Sequence, residues 1–283
     1  MATGVVLIGI LAWPLAAPAD PLAPVRATNL TPFGATTLLL LAFVSGFIGY
    51  FLSWPYGREI GILAAPSGLA VWALRSGYLS TLIQTKPTLA QRQAIFASLL
   101  WEPLFWLLVV AAGFMGVIAA QKLRPSPPTA QAPHEPNSKL GKHIAAVIAL
   151  ALSALLAQIA IRIFAPDFSA PHSTAVAQPP TRQIAFAVLV SFGFAAFLVK
   201  KLLRVSYAWP ILASAIATAI SIRTYLKKDV IAHFLDSQPA NFFPDVVSSV
   251  LPLQMVTFGV LGSVIGYWLA VRYDYWRRHE SSQ

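Results

Sequence analysis

An ionisable side chain inside a membrane span is costly, and where one sits it marks a place for polar chemistry. Two residues of this 283-residue chain lie within long apolar runs in that way, Glu102 and Arg162. A carboxylate and a guanidinium at one depth can hold a proton, grip a ligand between them, or neutralise each other. Counted from inner boundaries at about 121 and 143, each lies nineteen residues up its own helix. At about 1.5 Å per residue both stand roughly 28 Å above that boundary. The two helices are consecutive and antiparallel, so the two groups are expected to meet near the outer edge of the hydrocarbon. Gln158, one turn below Arg162, and Gln254 in the last run are either companions of such a site or inter-helix hydrogen bonds.

A structural reading of the same residues competes with the chemical one and leads it. Pro103 suits the first position of a helix, and Glu102 before it would face the positive helix end. Residues 88–101 then form a separate interfacial helix, opened by a Thr88/Gln91 capping box. Arg162 would turn its charge outward to water.

The second candidate is a broken segment, Gly57-Arg58-Glu59-Ile60-Gly61 through Ala65-Pro66-Ser67-Gly68. Interrupted membrane helices expose ends that bind ions or small solutes. Pro66 removes a donor, and Gly61 and Gly68 permit irregular backbone. Spans also carry Pro and Gly with no such role, and a kinked structural span is the leading expectation. Arg58 beside Glu59 then reads as an interfacial charge pair.

Other chemistry is disfavoured. The chain has no cysteine, so disulfides, thiol nucleophiles and thiolate metal sites are excluded. The five histidines (134, 143, 172, 233 and 279) lie outside the span centres, and of the softer haem ligands only Met115 and Met255 fall within spans. No cofactor and no metal site is expected. The H-E-x-x-H, phosphate-loop and G-x-S-x-G patterns are absent, and no later span carries a histidine in its interior to activate Ser67.

The elements that must position these residues follow from composition. Apolar residues make up 57% of the chain, charged ones 11%, and the mean hydropathy is +0.67. A soluble domain carries roughly 25% charged residues. The expected fold is therefore an all-α polytopic transmembrane bundle. Six runs approach the roughly 20 residues that cross a bilayer, at about 35–54, 95–120, 143–164, 183–199, 205–222 and 247–271. The short run 4–18 and the broken run 60–74 bring the total to seven or eight segments. Residues 1–19 read as an uncleaved first helix or as a signal peptide, for Ala17-Pro18-Ala19 fits a cleavage pattern but no Lys or Arg precedes the apolar stretch.

Orientation follows from the basic residues. Lys200, Lys201 and Arg204 crowd a five-residue turn, whereas the loop 165–181 has no basic residue. Eleven basic and four acidic residues fall on the side of that turn and the C-terminal tail, a net +7, against +3 on the other side. That side is expected to be cytoplasmic, in an inner or plasma membrane of bacterial type. The overall +10 thus reads as topology and attraction to anionic lipid headgroups, with no nucleic-acid partner.

The domain plan is an N-terminal membrane half (20–122), a proline-rich cytoplasmic linker (123–139), a C-terminal membrane half (140–271) and a basic tail (272–283). Pro125 and Pro128 in the linker also match a PxxP ligand, and a plain spacer is the simpler reading. Residues 223–236 resemble an interfacial amphipathic helix. Small residues recur at four-residue spacing: Ala145, Ala149, Ser153 and Ala157; Ala187, Ser191 and Ala195; Ala213, Ala217 and Ser221; and Gly262 with Gly266. Such stripes let helices approach closely inside lipid. Trp54, Trp101, Trp106, Trp268, Tyr267 and Tyr273 fall near span ends, as aromatic belts do. The leading functional expectation is a non-catalytic subunit or accessory factor of a membrane assembly. The alternative is a small transporter or channel using 57–75 with Glu102 and Arg162, and an intramembrane enzyme comes third.

Overall fold

The computed structural model describes residues 1–86, 88–125, 139–166, 178–227, 229–232, 243 and 245–280. Most of the proline-rich linker, the loop 167–177 and the second half of the expected amphipathic helix lie outside these residues.

Among the described residues the chain is helical, with no strand. α1 (Ala2–Gly4) continues into a π-helical stretch, Val5–Leu11, and ends in α2 (Trp13–Ala16). An irregular connection leads to α3 (Pro32–Leu52). Thr31 caps α3 by accepting the backbone N–H of Gly34 at 3.0 Å, with Pro32 in the first turn. Then follow α4 (Gly57–Gly61), α5 (Ala64–Arg75), α6 (Leu79–Gln84), α7 (Leu89–Leu99) and α8 (Glu102–Leu123). The C-terminal half contributes α9 (Lys139–Phe164), α10 (Thr181–Leu203), α11 (Ala208–Tyr225), α12 (Val246–Ser249) and α13 (Pro252–Glu280).

Among the described residues, five helical stretches are long and apolar enough to cross a membrane: Pro32–Leu52, Leu89–Leu123, His143–Phe164, Thr181–Leu203 and Pro252–Arg277. The expected run 95–120 is divided, because α7 and α8 are separate helices that meet at Leu100 and Trp101. The capping box appears as expected. Thr88 Oγ1 accepts from Gln91 N at 3.3 Å, and Gln91 Oε1 accepts from Thr88 N at 3.4 Å. α10 stops at Arg204, which adopts a left-handed conformation (φ 53°), and Lys200 and Lys201 in its last turn complement the negative helix end.

Side-chain contacts fix the directions of these helices. Arg26, just before α3, reaches Glu102 at the start of α8, and Tyr50 near the end of α3 donates to the carbonyl of Arg124 just past α8. α3 and α8 are therefore parallel. α10 and α13 are parallel too, with Gly193 against Gly262 and Gly266, and Lys201 paired with Asp274 further along. α11 opposes α13, since Tyr207 packs on Tyr267 and Ser214 on Gly259. α9 opposes α10, because Phe164 at its end lies beside Gln183 and Phe186 near the start of α10. The two ends of the bundle are named below for Arg26 and for Lys201.

Small residues set how closely these helices approach. A Cβ on Gly46 would overlap the carbonyl of Gly113, and one on Gly116 would overlap the carbonyl of Phe43. The same holds for Gly266 against Gly193, and for Gly262 against Leu189. Of the expected stripes, Ala149, Ser153, Ala157, Ala187, Ser191, Ala195, Ala213 and Ala217 are all fully buried, so they are the packing faces. Trp106 departs from its expected place in an aromatic belt. It is fully buried, edge-on to Trp72 with ring centroids 6.4 Å apart.

Candidate functional site

Glu102 and Arg162 do not form the expected pair. Glu102 takes Arg26 (Nε to Oε1, 3.1 Å), and Arg162 takes Asp245 (Nε to Oδ2, 2.8 Å). All four residues belong to the Arg26 end of the bundle. Depth says nothing of rotation, however, and the two side chains face different surroundings. Glu102 is 2% exposed, whereas the side chain of Arg162 is 59% exposed.

Local structure explains how Arg26 arrives. Val25 N donates to Ser76 Oγ at 2.9 Å, and Gly77 N donates to the carbonyl of Ala23 at 3.2 Å. These two bonds lay the connection across the end of α5. Gly77 is required there, because a Cβ would overlap the carbonyl of Leu22. The pinned chain then points Arg26 at the first turn of α8, where Glu102 also meets the positive helix end. A second guanidinium nitrogen of Arg26 donates to Ser98 Oγ, and Ser98 donates to the carbonyl of Ile95. Behind the carboxylate stand the buried indoles of Trp106 and Trp72. The other carboxylate oxygen, Oε2, and the two indole nitrogens have no partner in full hydrogen-bonding geometry among the described residues, although the Trp106 indole stands close to the carboxylate. The arrangement is a desolvated ion pair closed on its inner side by tryptophan. On its outer side Arg26, Thr28, Lys86, Gln91 and Ser98 border a shallow groove of about 390 Å³.

The remaining candidates are structural in geometry. Gln254 Nε2 donates to the carbonyl of Ala73 at 3.4 Å, and its Oε1 accepts Leu251 N at 3.2 Å. It thereby joins the end of α5 to the start of α13. Gln158 is half-buried on α9. Arg162 binds Asp245, which also caps α12 by accepting Val247 N at 3.4 Å. Exposed pairs of this kind contribute about 0–1 kcal/mol. Arg162→Ala is accordingly expected to shift detergent-solubilised unfolding by less than about 1 kcal/mol. A larger loss in a denaturant titration would mean that Arg162 does more than hold Asp245.

Comparison with family models, with curated proteins and with solved structures returned no match to this chain.

Between α4 and α5 the segment 57–75 is kinked, and its glycines act through close packing. Gly61 and Gly68 do not serve irregular backbone, for no glycine described has a positive φ. They serve close approach instead. Gly61 lies against Tyr50 and Val117, and a Cβ on Gly68 would overlap the carbonyl of Gly4. Between α4 and α5, Ile62 (φ −62°, ψ −20°) and Leu63 (φ −83°, ψ −7°) keep helical dihedrals. The interruption is a kink with buried residues on both sides: Gly61 through Pro66 and Gly68 are all buried. Ser67 is half-buried, and Arg58 is exposed beside a half-buried Glu59.

At the Lys201 end, cations sit on aromatic faces. Arg124 lies over Trp54 at 4.3 Å, Lys200 over Tyr267 at 4.9 Å, and Lys201 over Tyr273 at 4.5 Å. Each of these rings lies near a span end, and the cation that covers it comes from another helix or its edge.

Proposed function

We propose that this chain is a non-catalytic integral subunit or accessory factor of a membrane assembly. One observation carries the reading: the charged side chains of the described residues lie towards the two ends, while the helices between them cross at glycine-backbone contacts. A transporter needs a polar or hydrated region near its centre. Here the central crossings at Gly46/Gly113 and Gly193/Gly266 leave room for no side chain, let alone a solute.

The directions of the helices support a topology of eight segments. The N-terminal helix, α5, α9 and α11 run one way, and α3, α8, α10 and α13 run the other. Thr3 near the Lys201 half donates to the carbonyl of Ser45, while Trp13 packs on Trp72 at 6.3 Å. The N-terminal helix thus parallels α5 along most of its length, with Ile8, Ala12 and Ala16 buried at four-residue spacing. This packing favours retention of residues 1–19 as a structural helix. Segment 57–75 likewise extends from Tyr50 and Val117 at one end to Trp106 at the other. The cations of the Lys201 end, set on aromatic rings, suit a cytoplasmic surface facing anionic headgroups.

Native-size analysis of mildly solubilised membranes tests the proposal. The 30.5 kDa chain is expected to run within one larger heteromeric species of fixed composition. A lone, monodisperse monomer from the same membranes would contradict it.

A further inference from the structure

A groove opens on the outer surface of the bundle where α7 bends into α8 opposite α11, and neither Arg26 nor Glu102 lines it. Trp101 and Leu104 form one wall, Ala215 and Ala219 the floor, and Ile220 the other wall, with Arg223 at the rim. It encloses about 350 Å³. The two alanines create the depth, and the bend at Leu100–Trp101 holds the walls apart. Trp101 is 69% exposed, and Leu104 and Ile220 are also exposed, although each belongs to or adjoins a helix of the bundle. From Ala215 to Arg223 the groove follows about 12 Å of helix, at about 1.5 Å per residue.

Its chemistry selects the occupant. All lining side chains but one are apolar, so the groove suits a hydrocarbon chain and offers nothing to a polar solute. The exception, Arg223, lies in the last turn of α11 at the Arg26 end and makes no ion pair among the described residues. A guanidinium over an apolar slot matches a phosphate headgroup above an acyl chain. Lipid tails are equally apolar in every phospholipid, so the tail supplies shape fit and the headgroup supplies the preference.

We infer that this groove holds one anionic phospholipid, its acyl chain between α8 and α11 and its phosphate on Arg223, in the leaflet at the Arg26 end. The inference rests on the membrane reading above but not on the subunit role. It concerns the face opposite the basic Lys201 end, where net charge alone would not have located a lipid.

Trp101 reports on the site directly. The full chain is reconstituted in nanodiscs of phosphatidylglycerol and phosphatidylcholine, with bromine on the acyl chains of one lipid at a time. The Trp101 signal is the difference between the wild type and Trp101→Phe. Brominated phosphatidylglycerol should quench it with about fivefold preference, the factor that about 1 kcal/mol per basic residue gives. Arg223→Gln should abolish the preference while quenching by both lipids persists. Ala219→Leu, which fills the floor without touching the charge, should reduce quenching by both.

Equal quenching by the two lipids in the wild type would overturn the inference, as would a preference that survives Arg223→Gln. Absence of any Trp101 quenching, while the other tryptophans are quenched, would mean that protein covers the groove and would also overturn it. Absence of quenching at every tryptophan would instead strike the membrane reading itself.

Discussion

Replacing Arg26 with methionine should cost about 3–5 kcal/mol of stability, far more than any other single charge in the bundle, because it strands a buried carboxylate. Glu102 is 2% exposed and Arg26 is its one ionic partner among the described residues. The reverse change should be milder. Glu102→Gln leaves Arg26 beside a groove open to water, and should cost about 1–3 kcal/mol through the lost charge-assisted hydrogen bond. The double variant Arg26→Met/Glu102→Leu removes both charges and should recover most of the loss, since replacing a buried pair with apolar residues is often neutral. Denaturant titration in detergent, run as a double-mutant cycle, reads all three. If Arg26→Met costs less than about 1 kcal/mol, the pair is solvated and the burial of Glu102 is wrong.

Gly266→Leu should have the other large effect, loss of the folded bundle. A single Cβ at Gly266 would already overlap the backbone of Gly193, and backbone cannot rotate aside as a side chain can. Overpacking typically costs 1–3 kcal/mol and occasionally more. Here the helices α10 and α13 must separate along their whole contact, and within lipid there is no hydrophobic force to hold the separated faces. Even Gly266→Ala should destabilise measurably. Ile265→Leu, on the exposed face of the same helix, should leave thermal unfolding within about 0.5 kcal/mol of the wild type. A Gly266→Leu protein that is monodisperse and unfolds normally would remove the basis for close packing of these helices.

How much of this was legible in the sequence varies by element. Hydropathy and length found the long helices, and small residues at four-residue spacing found their contact faces, because both signals are local and periodic. The Thr88/Gln91 box was legible for the same reason. The partner of Glu102 was not. Arg26 stands on an irregular connection, whose path is set by two hydrogen bonds to Ser76 and Ala23 and by the missing side chain of Gly77. None of these has a sequence period. One signal did point to it: Arg26 is the single basic residue between the first two apolar segments, on the same expected side as Glu102. Arg162 misled because counting residues fixes height and leaves rotation free. Its partner, Asp245, sits in a connection that depth alone could not rank. Trp106 was assigned to a belt because span-end aromatics usually face lipid, whereas here the α5 kink brings Trp72 up against it. Gly61 and Gly68 show the same limit, since glycine marks either a special backbone or a close neighbour, and only the neighbours decide.

The packing also divides the two functional readings physically. Buried hydroxyls do lie near the helix centres, at Ser153, Ser191 and Ser263, and none makes a hydrogen bond among the described residues. A transport path would have to wet them, whereas a packed structural bundle seals them. The chain lacks cysteine, so single cysteines can be introduced without altering a background.

The most direct measurement is therefore the labelling of Ser191→Cys by a small water-soluble maleimide in native membranes. Ser206→Cys on the exposed turn serves as the reactive control. The close-packed bundle predicts no labelling of residue 191 until the protein is unfolded in SDS, while residue 206 reacts at once from its own side. Labelling of residue 191 in intact membranes at a rate near that of residue 206 would reveal water at the centre and contradict the account.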